Sequence, residues 1–270
     1  MTDDFRARVT LTYNAAADRY DDAANAFWAR FGARTIDRIG LGAGDRVLDV
    51  CCGSGASALP AARAVGSTGS VIGVDLCDNL LALARRKADA AGLSNLQVRR
   101  GDMLNLDLPE APFDAVVCVF GIFFAPDMTA AVRELWRVVR PGGVLAITTW
   151  GPRWFEPAVS VFWDAVRKVR PDLYKGFNHW DRITDPSSLL TLLQDAGVSN
   201  AHAVAEAGQH PIDSPDAWWA AMLGSGTRGT IDQLSAPDLE GVRRTNLNYI
   251  KESGVASVEA NVVYAMARKA

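Results

Sequence analysis

Asp49, Gly53, Gly55 and Asp75 are the residues of this sequence whose types and spacing point most directly to chemistry. They lie in RVLDVCCGSGASA at 46–58 and SVIGVD at 70–75, where an apolar run carries or ends in an acid. Two glycines one residue apart allow a tight turn and let a ligand touch backbone beside a helix N-terminus. Gly53-x-Gly55-x-x-Ala58 formally satisfies the glycine pattern that cradles a dinucleotide, and Asp75 follows at the position where an acid binds ribose hydroxyls. Asp49 separates the alternatives. A carboxylate four residues before the first glycine is expected to face the crevice, where it repels a pyrophosphate and attracts an ammonium or a sulfonium. Dinucleotide loops usually begin at the strand end, whereas Val50-Cys51-Cys52 intervene here. The spacing favours a cationic, amino-acid-bearing nucleoside.

Acid–base candidates are few. Of three histidines, His179 lies in the loop GFNHWDR and is placed to reach the mouth of a site, while His202 and His210 read as structural. Glu156 and Tyr20 complete the candidate catalytic set. Aromatic residues are more suggestive: Phe123, Phe124, Trp150, Trp154, Trp180, Trp218 and Trp219 follow the fourth and fifth strand ends or fall in later helices, and such walls suit a planar or lipophilic small molecule. Cys51 and Cys52 are adjacent and, with Cys77 and Cys118, match neither a metal knuckle nor a disulfide framework, so buried thiols in a reducing cytoplasm are expected. No carboxylate cluster has metal spacing.

The elements that position these residues follow from pattern. Short apolar runs alternate with helical stretches from residue 45 to 150, which predicts right-handed βαβ units on a parallel sheet. Residues 17–39 read as an amphipathic N-terminal helix, and Met128, Val132, Leu135, Trp136 and Val139 share one face of a later helix. Arg140-Pro141-Gly142-Gly143 is expected to stop that helix and turn the chain into GVLAITTW. Beyond Gly151 come two helices, a strand at SNAHAVAEAG, a helical cap at about 211–253, and SVEANVVYAMARK with high β propensity. The expected organisation is 1–44 as a helical segment over the ligand site, 45–150 as the binding core, and 151–270 as the rest of the same domain. At 270 residues, 49% hydrophobic and net charge -3, the chain has enough apolar sequence for one core and lacks the cationic surplus that nucleic acid selects. No signal-like segment or membrane-length apolar run occurs, so no membrane insertion is expected.

The sequence resembles the class I S-adenosylmethionine-dependent methyltransferases, particularly the small-molecule group that includes ubiquinone/menaquinone C-methyltransferase-like enzymes. VLDVCCGSG at 47–55, VIGVDLCDNLL at 71–81, RRGDML at 99–104, FDAVVCVFGIFF at 113–124 and LWRVVRPGGVLAITTW at 135–150 resemble that family's five ordered motifs. The resemblance covers residues 13–150 well and the remainder more loosely. It implies a Rossmann-like doubly wound sheet, mostly parallel with a reversed C-terminal strand, helices on both faces, an N-terminal helix and a C-terminal cap. It further implies S-adenosylmethionine as cofactor, with Asp49, Gly53 and Gly55 bordering the methionine moiety and Asp75 accepting ribose hydroxyls. Leu76 would pack on adenine, Asp102 accept from its amino group, Met103 cover the ring, and Phe120 lie beside the methionine end. Tyr13 and Tyr20 fall where related enzymes carry a helix over the cofactor.

The implied activity is methyl transfer to a quinone, polyketide or other small metabolite at oxygen, carbon or nitrogen, with Phe123, Phe124, Trp150, Trp180, Trp218 and Trp219 lining the acceptor side. Three alternatives stand beside it: a cyclase or decarboxylase retaining the cofactor, a non-catalytic cofactor-binding module, and a dinucleotide oxidoreductase. A monomer or homodimer is expected.

Overall fold

The computed structural model describes residues 2–109 and 112–270. The chain begins with α1 (Thr2–Ala16), a 3-10 turn at Ala23–Asn25 and α2 (Phe27–Ile39). Strands and helices then alternate as β1 (Arg46–Val50), α3 (Ala58–Val65), β2 (Ser70–Asp75), α4 (Asp78–Ala90), β3 (Leu96–Arg100), β4 (Phe113–Val119), α5 (Met128–Arg137) and β5 (Val139–Trp150). The remainder comprises α6 (Ala158–Val169), α7 (Pro186–Asp195), β6 (Ala201–Glu206), β7 (Gln209–Pro211), α8 (Pro215–Leu223), α9 (Arg228–Ile231), α10 (Ala236–Glu252), β8 (Ser257–Glu259) and β9 (Val262–Arg268).

Seven strands form one sheet in the order β3-β2-β1-β4-β5-β9-β6. The first five pair in parallel, and β9 runs antiparallel between β5 and β6. This is the Rossmann-like sheet with a reversed C-terminal strand. The strand order reverses between β1 and β4, and in such sheets ligands occupy the crevice at the carboxyl ends beside that reversal. Side-chain alternation divides the core. Leu48, Val50, Val116, Cys118, Leu145 and Ile147 face the side packed by α5, α6, α7 and the cap. Val47, Ala115, Val117, Val144 and Ala146 face the other, packed by α2, α3 and part of α4.

Helix starts follow local chemistry. The carboxylates of Asp127 and Asp185 and the hydroxyls of Ser214 and Ser235 accept from backbone N–H groups of the first turn, with proline at the first or second helical position of α7, α8 and α10. Among the described residues, no helix is long and apolar enough to cross a membrane.

Three segments differ from expectation. The helix anticipated over 17–39 begins only at Phe27, because the Asn25 amide donates to the carbonyls of Arg19 (2.9 Å) and Ala220 (3.3 Å) and folds the preceding residues into turns. Helix α1, which precedes it, has little apolar periodicity to announce it. Arg140–Gly143 is not a free turn. Strand β5 starts at Val139, and the register with β4 slips between the Phe113↔Val139 and Ala115↔Val144 pairs, while Gly142 adopts φ 75° and donates to the Lys269 carbonyl. SVEANVVYAMARK is divided into β8 and β9 at Asn261, whose carbonyl accepts from Gly151 and whose side-chain oxygen accepts from the Gly208 N–H.

Candidate functional site

The ends of β1, β2, β3 and β4 converge on a cleft built around the Gly53 turn. After Val50 the chain needs left-handed backbone, with φ of 61° at Cys51, 51° at Gly53 and 89° at Gly55. A Cβ at Gly55 would lie 2.5 Å from Leu59 Cδ1, so glycine is required there for space as well as conformation. Asp75 locks the turn to β2: its Oδ2 accepts from Gly53 N and its Oδ1 from Cys77 N, both at 2.9 Å. Burial raises this carboxyl, and the two N–H groups pull it back down. Each oxygen keeps a lone pair for a further donor.

Leu76, Met103, Phe120 and Tyr20 join Gly53 and Asp75 on the cleft wall. Tyr20 stacks on Trp28 with centroids 5.1 Å apart, and its hydroxyl lies 3.4 Å from where a Gly53 Cβ would stand. Tyr13, from α1, approaches both Tyr20 and Phe124 edge-on. Burial pushes both phenols above their ordinary range, so they remain neutral. The cleft encloses about 80 Å³, below the ~300 to 1,000 Å³ of typical ligand pockets, because α1 and the two tyrosines close over it.

The structure corrects the expected orientation of Asp49. It is 0% exposed and turned away from the cleft, where Ser57 Oγ donates to its Oδ2 at 2.7 Å beside the start of α3. The reason is alternation: Asp49 shares its strand face with Val47, opposite Leu48 and Val50. Burial pushes this carboxyl up to about 7, the Ser57 bond works against that, and the nearby Asp75 charge adds to it. Gly55 shapes the turn without lining the cleft. Asp102 also lies off the wall. It accepts from Leu104 N at 2.9 Å and pairs with Arg6 of α1, while its neighbours Gly101 and Met103 face the cleft.

A wider cavity of about 650 Å³ adjoins the cleft through the shared side chains Val9, Tyr13 and Phe124. His179 and Trp180 line it, as do α1 residues Phe5, Arg8 and Leu11, and Trp154, Trp163, Lys175 and Phe177. His179 packs on Phe5 with centroids 4.5 Å apart, and burial, then the charges of Arg182 and Lys175, lower its pKa below the ordinary value. The imidazole is therefore neutral at pH 7. Helix α1 can roof this cavity because Gly229 of α9 leaves space for Thr12, whose Oγ1 would lie 2.2 Å from a Cβ there.

Several sequence candidates stand elsewhere. Glu156 lines a separate cavity of about 310 Å³ and accepts from Ser160 Oγ. Trp150 is buried in a stack on Phe120, and Phe123 is buried between Phe124 and Trp180; neither lines a described cavity. Trp218 and Trp219 are buried within the cap, where Trp218 Nε1 donates to Asn246 of α10 at 3.1 Å. They pack on Phe155 and Phe162 within the main core. Beyond the sequence expectations stand the α1 residues other than Tyr13 and the 175–177 and 226–233 stretches, which carry no local motif and meet only through helix packing.

Residues 47–143 match a family model described as a methyltransferase domain. The demethylmenaquinone methyltransferase of Oceanobacillus iheyensis is 40% identical over 119 residues, 44% of this chain and 50% of that protein. Its counterpart in Listeria welshimeri is 32% identical over 180 residues, covering 61% of this chain and 75% of the relative. Aklanonic acid methyltransferase of a Streptomyces species is 32% identical over 145 residues, covering 54% and 66%. The chain thus spans about half the length of the Oceanobacillus protein and three quarters of the Listeria one. The crystal structure of the YcgJ protein of Bacillus subtilis shares the fold, with TM-score 0.59 at 20% identity over 89% of this chain and 98% of the other.

Proposed function

This chain belongs to the class I S-adenosylmethionine-dependent methyltransferases, and from that premise we propose that it transfers a methyl group from S-adenosylmethionine to a small organic acceptor held in the wider cavity. One observation carries the reading: the cleft wall holds one carboxylate, Asp75, and five aromatic side chains, Tyr13, Tyr20, Trp28, Phe120 and Phe124, with no lysine or arginine among them. That set suits a cationic sulfonium and offers a pyrophosphate no counter-charge. When bound, S-adenosylmethionine supplies an electrophilic methyl group for in-line displacement. Asp75 would accept the ribose hydroxyls through its spare lone pairs, Leu76 and Met103 would flank the adenine, and Gly53 would leave room for the methionine end. Admitting a ligand of that size requires α1 to withdraw Tyr13 and Tyr20 from the cleft.

The shared Tyr13–Phe124 wall places acceptor beside methyl donor, and holding two reactants in register can supply much of the rate. Neutral His179 is the available proton acceptor for an acidic acceptor hydroxyl; Glu156, in its separate cavity and bonded to Ser160, is not. Four free cysteines support a reducing cytoplasmic setting, and the net charge of -3 supports a small-molecule partner over nucleic acid. The test is a screen of small hydroxyarenes, quinols and aromatic acids for acceptor-dependent formation of S-adenosylhomocysteine. Turnover with any of them upholds the reading. Acceptor consumption without S-adenosylhomocysteine would indicate cyclisation or decarboxylation instead.

A further inference from the structure

We infer that the wider cavity selects a planar aromatic acceptor bearing an anionic oxygen group, with Lys175 as the residue that reads its charge. The inference rests on that cavity being the acceptor site and adds what kind of acceptor it takes. Trp154, Trp163 and Trp180 give it flat apolar walls, and Phe177, 50% exposed, extends them to the mouth. Such surfaces suit a fused-ring system and gain little from a flexible polar chain.

Arg8, Lys175 and the three tryptophans bring to those walls groups that donate and cannot accept. Lys175 Nζ lies 5.9 Å from the Trp163 ring, and among the described residues no carboxylate stands within ion-pair distance of it. Burial, and after it the charge of Arg8 on the same cavity wall, disfavours the charged form of Lys175. Among the described residues, the one acid on the wall, Asp232, is held by Arg228 at 2.7 Å. An ammonium with no carboxylate partner is stabilised by an anion. A second observation points the same way: Trp154 is buried, yet its indole Nε1 has no hydrogen-bond partner. An indole N–H can only donate, so a ligand that satisfies it must bring an acceptor atom.

Position gives the acceptor a direction. Tyr13 and Phe124 form the side of the cavity shared with the cleft, whereas Trp154 and Lys175 form the side shared with the third cavity. A ligand anchored by its anionic group at Lys175 and Trp154 therefore presents the opposite edge of its rings to the methyl donor.

Fluorescence titration of 2-naphthoate and its uncharged isostere 2-naphthamide, at saturating S-adenosylhomocysteine, tests the inference on the intact chain. Wild type should bind the acid at least about 10-fold more tightly than the amide, as expected where a charge-assisted hydrogen bond is made to one and not the other. Lys175→Met should bring the two within about 3-fold, and Lys175→Arg should keep most of the preference. Equal binding of the two probes by wild type, absence of binding by both, or a 10-fold preference surviving in Lys175→Met would each overturn it. Lys175 lies on an exposed loop outside the core, and the arginine variant controls for misfolding. Titrating S-adenosylhomocysteine alone separates the two readings: its failure to bind would remove the methyl-transfer proposal, while a naphthoate preference would still stand as an anion site.

Discussion

The cleft at the Gly53 turn and the cavity beyond Phe124 share a wall but are assembled in opposite ways. The cleft takes most of its wall from four strand ends between Cys51 and Phe120, where sheet register fixes each side chain against its neighbours. The cavity takes its wall from α1, from Trp154 and Trp163, from the 175–180 loop and from the stretch around α9, brought together only by helix packing. The first is tight, at about 80 Å³; the second is roomy, at about 650 Å³. A site held by strand pairing can keep one ligand geometry while the helices around it change, so the same cleft can serve many acceptors.

The largest expected effect falls on the cleft alone. Asp75→Ala removes the acceptor of the Gly53 and Cys77 N–H groups and of the proposed ribose hydroxyls. Two charge-assisted hydrogen bonds of ~1.5 to 3 kcal/mol each correspond to about 100-fold or more weaker binding of S-adenosylhomocysteine. Affinity for 2-naphthoate should change by less than about 3-fold. Equal losses for both ligands would show that the two regions are not separable.

His179→Ala probes the boundary from the other side. The imidazole is neutral and sits on the cavity wall, so single-turnover methyl transfer should fall by less than about 100-fold, the lower end of what a positioned base contributes. Because its pKa is lowered, any titration it imposes on the rate lies below 6.5. A loss well beyond 100-fold, with disappearance of such a titration, would make His179 the base and give the cavity part of the chemistry.

A further effect, on stability, concerns Asp49, the acid behind the cleft. Its folded pKa, about 7, lies above the unfolded 3.8. Its contribution to stability is therefore fully present below pH 3.8 and is lost as pH rises through about 7. Between pH 5 and 7, wild type should lose about 1.4 kcal/mol per pH unit relative to Asp49→Asn. His179 and His210 have lowered pKa values and act in the opposite sense, losing stability as pH falls below 6.5, but they cancel in the wild-type-minus-variant difference. Parallel denaturation curves across that window would place the Asp49 carboxylate in water.

What the sequence made legible divides along the same line. RVLDV and SVIGVD are β1 and β2 to the residue, because a buried parallel strand is an apolar run bounded by breakers. Asp75 could be placed because it ends its strand. Asp49 was assigned to the crevice from its distance to Gly53, although strand alternation already set it opposite Leu48 and Val50. Residue type alone suggests Trp218 and Trp219 as acceptor contacts, because it does not distinguish a cavity wall from a buried core. The resemblance sets Tyr13 over the cofactor, whereas Phe5, Arg8, Val9 and Thr12 of the same helix carry no pattern, since Thr12 is positioned against Gly229, more than 100 residues away.

We propose that the Gly53 cleft holds the S-adenosyl nucleoside beside a separate acceptor cavity. Calorimetric titration of the chain with S-adenosylhomocysteine and, separately, with NAD tests it most directly. Binding of S-adenosylhomocysteine should be saturable and one-to-one, strongly weakened in Asp75→Ala, with no heat from NAD at the same concentrations. Saturable binding of NAD with none of S-adenosylhomocysteine would contradict it.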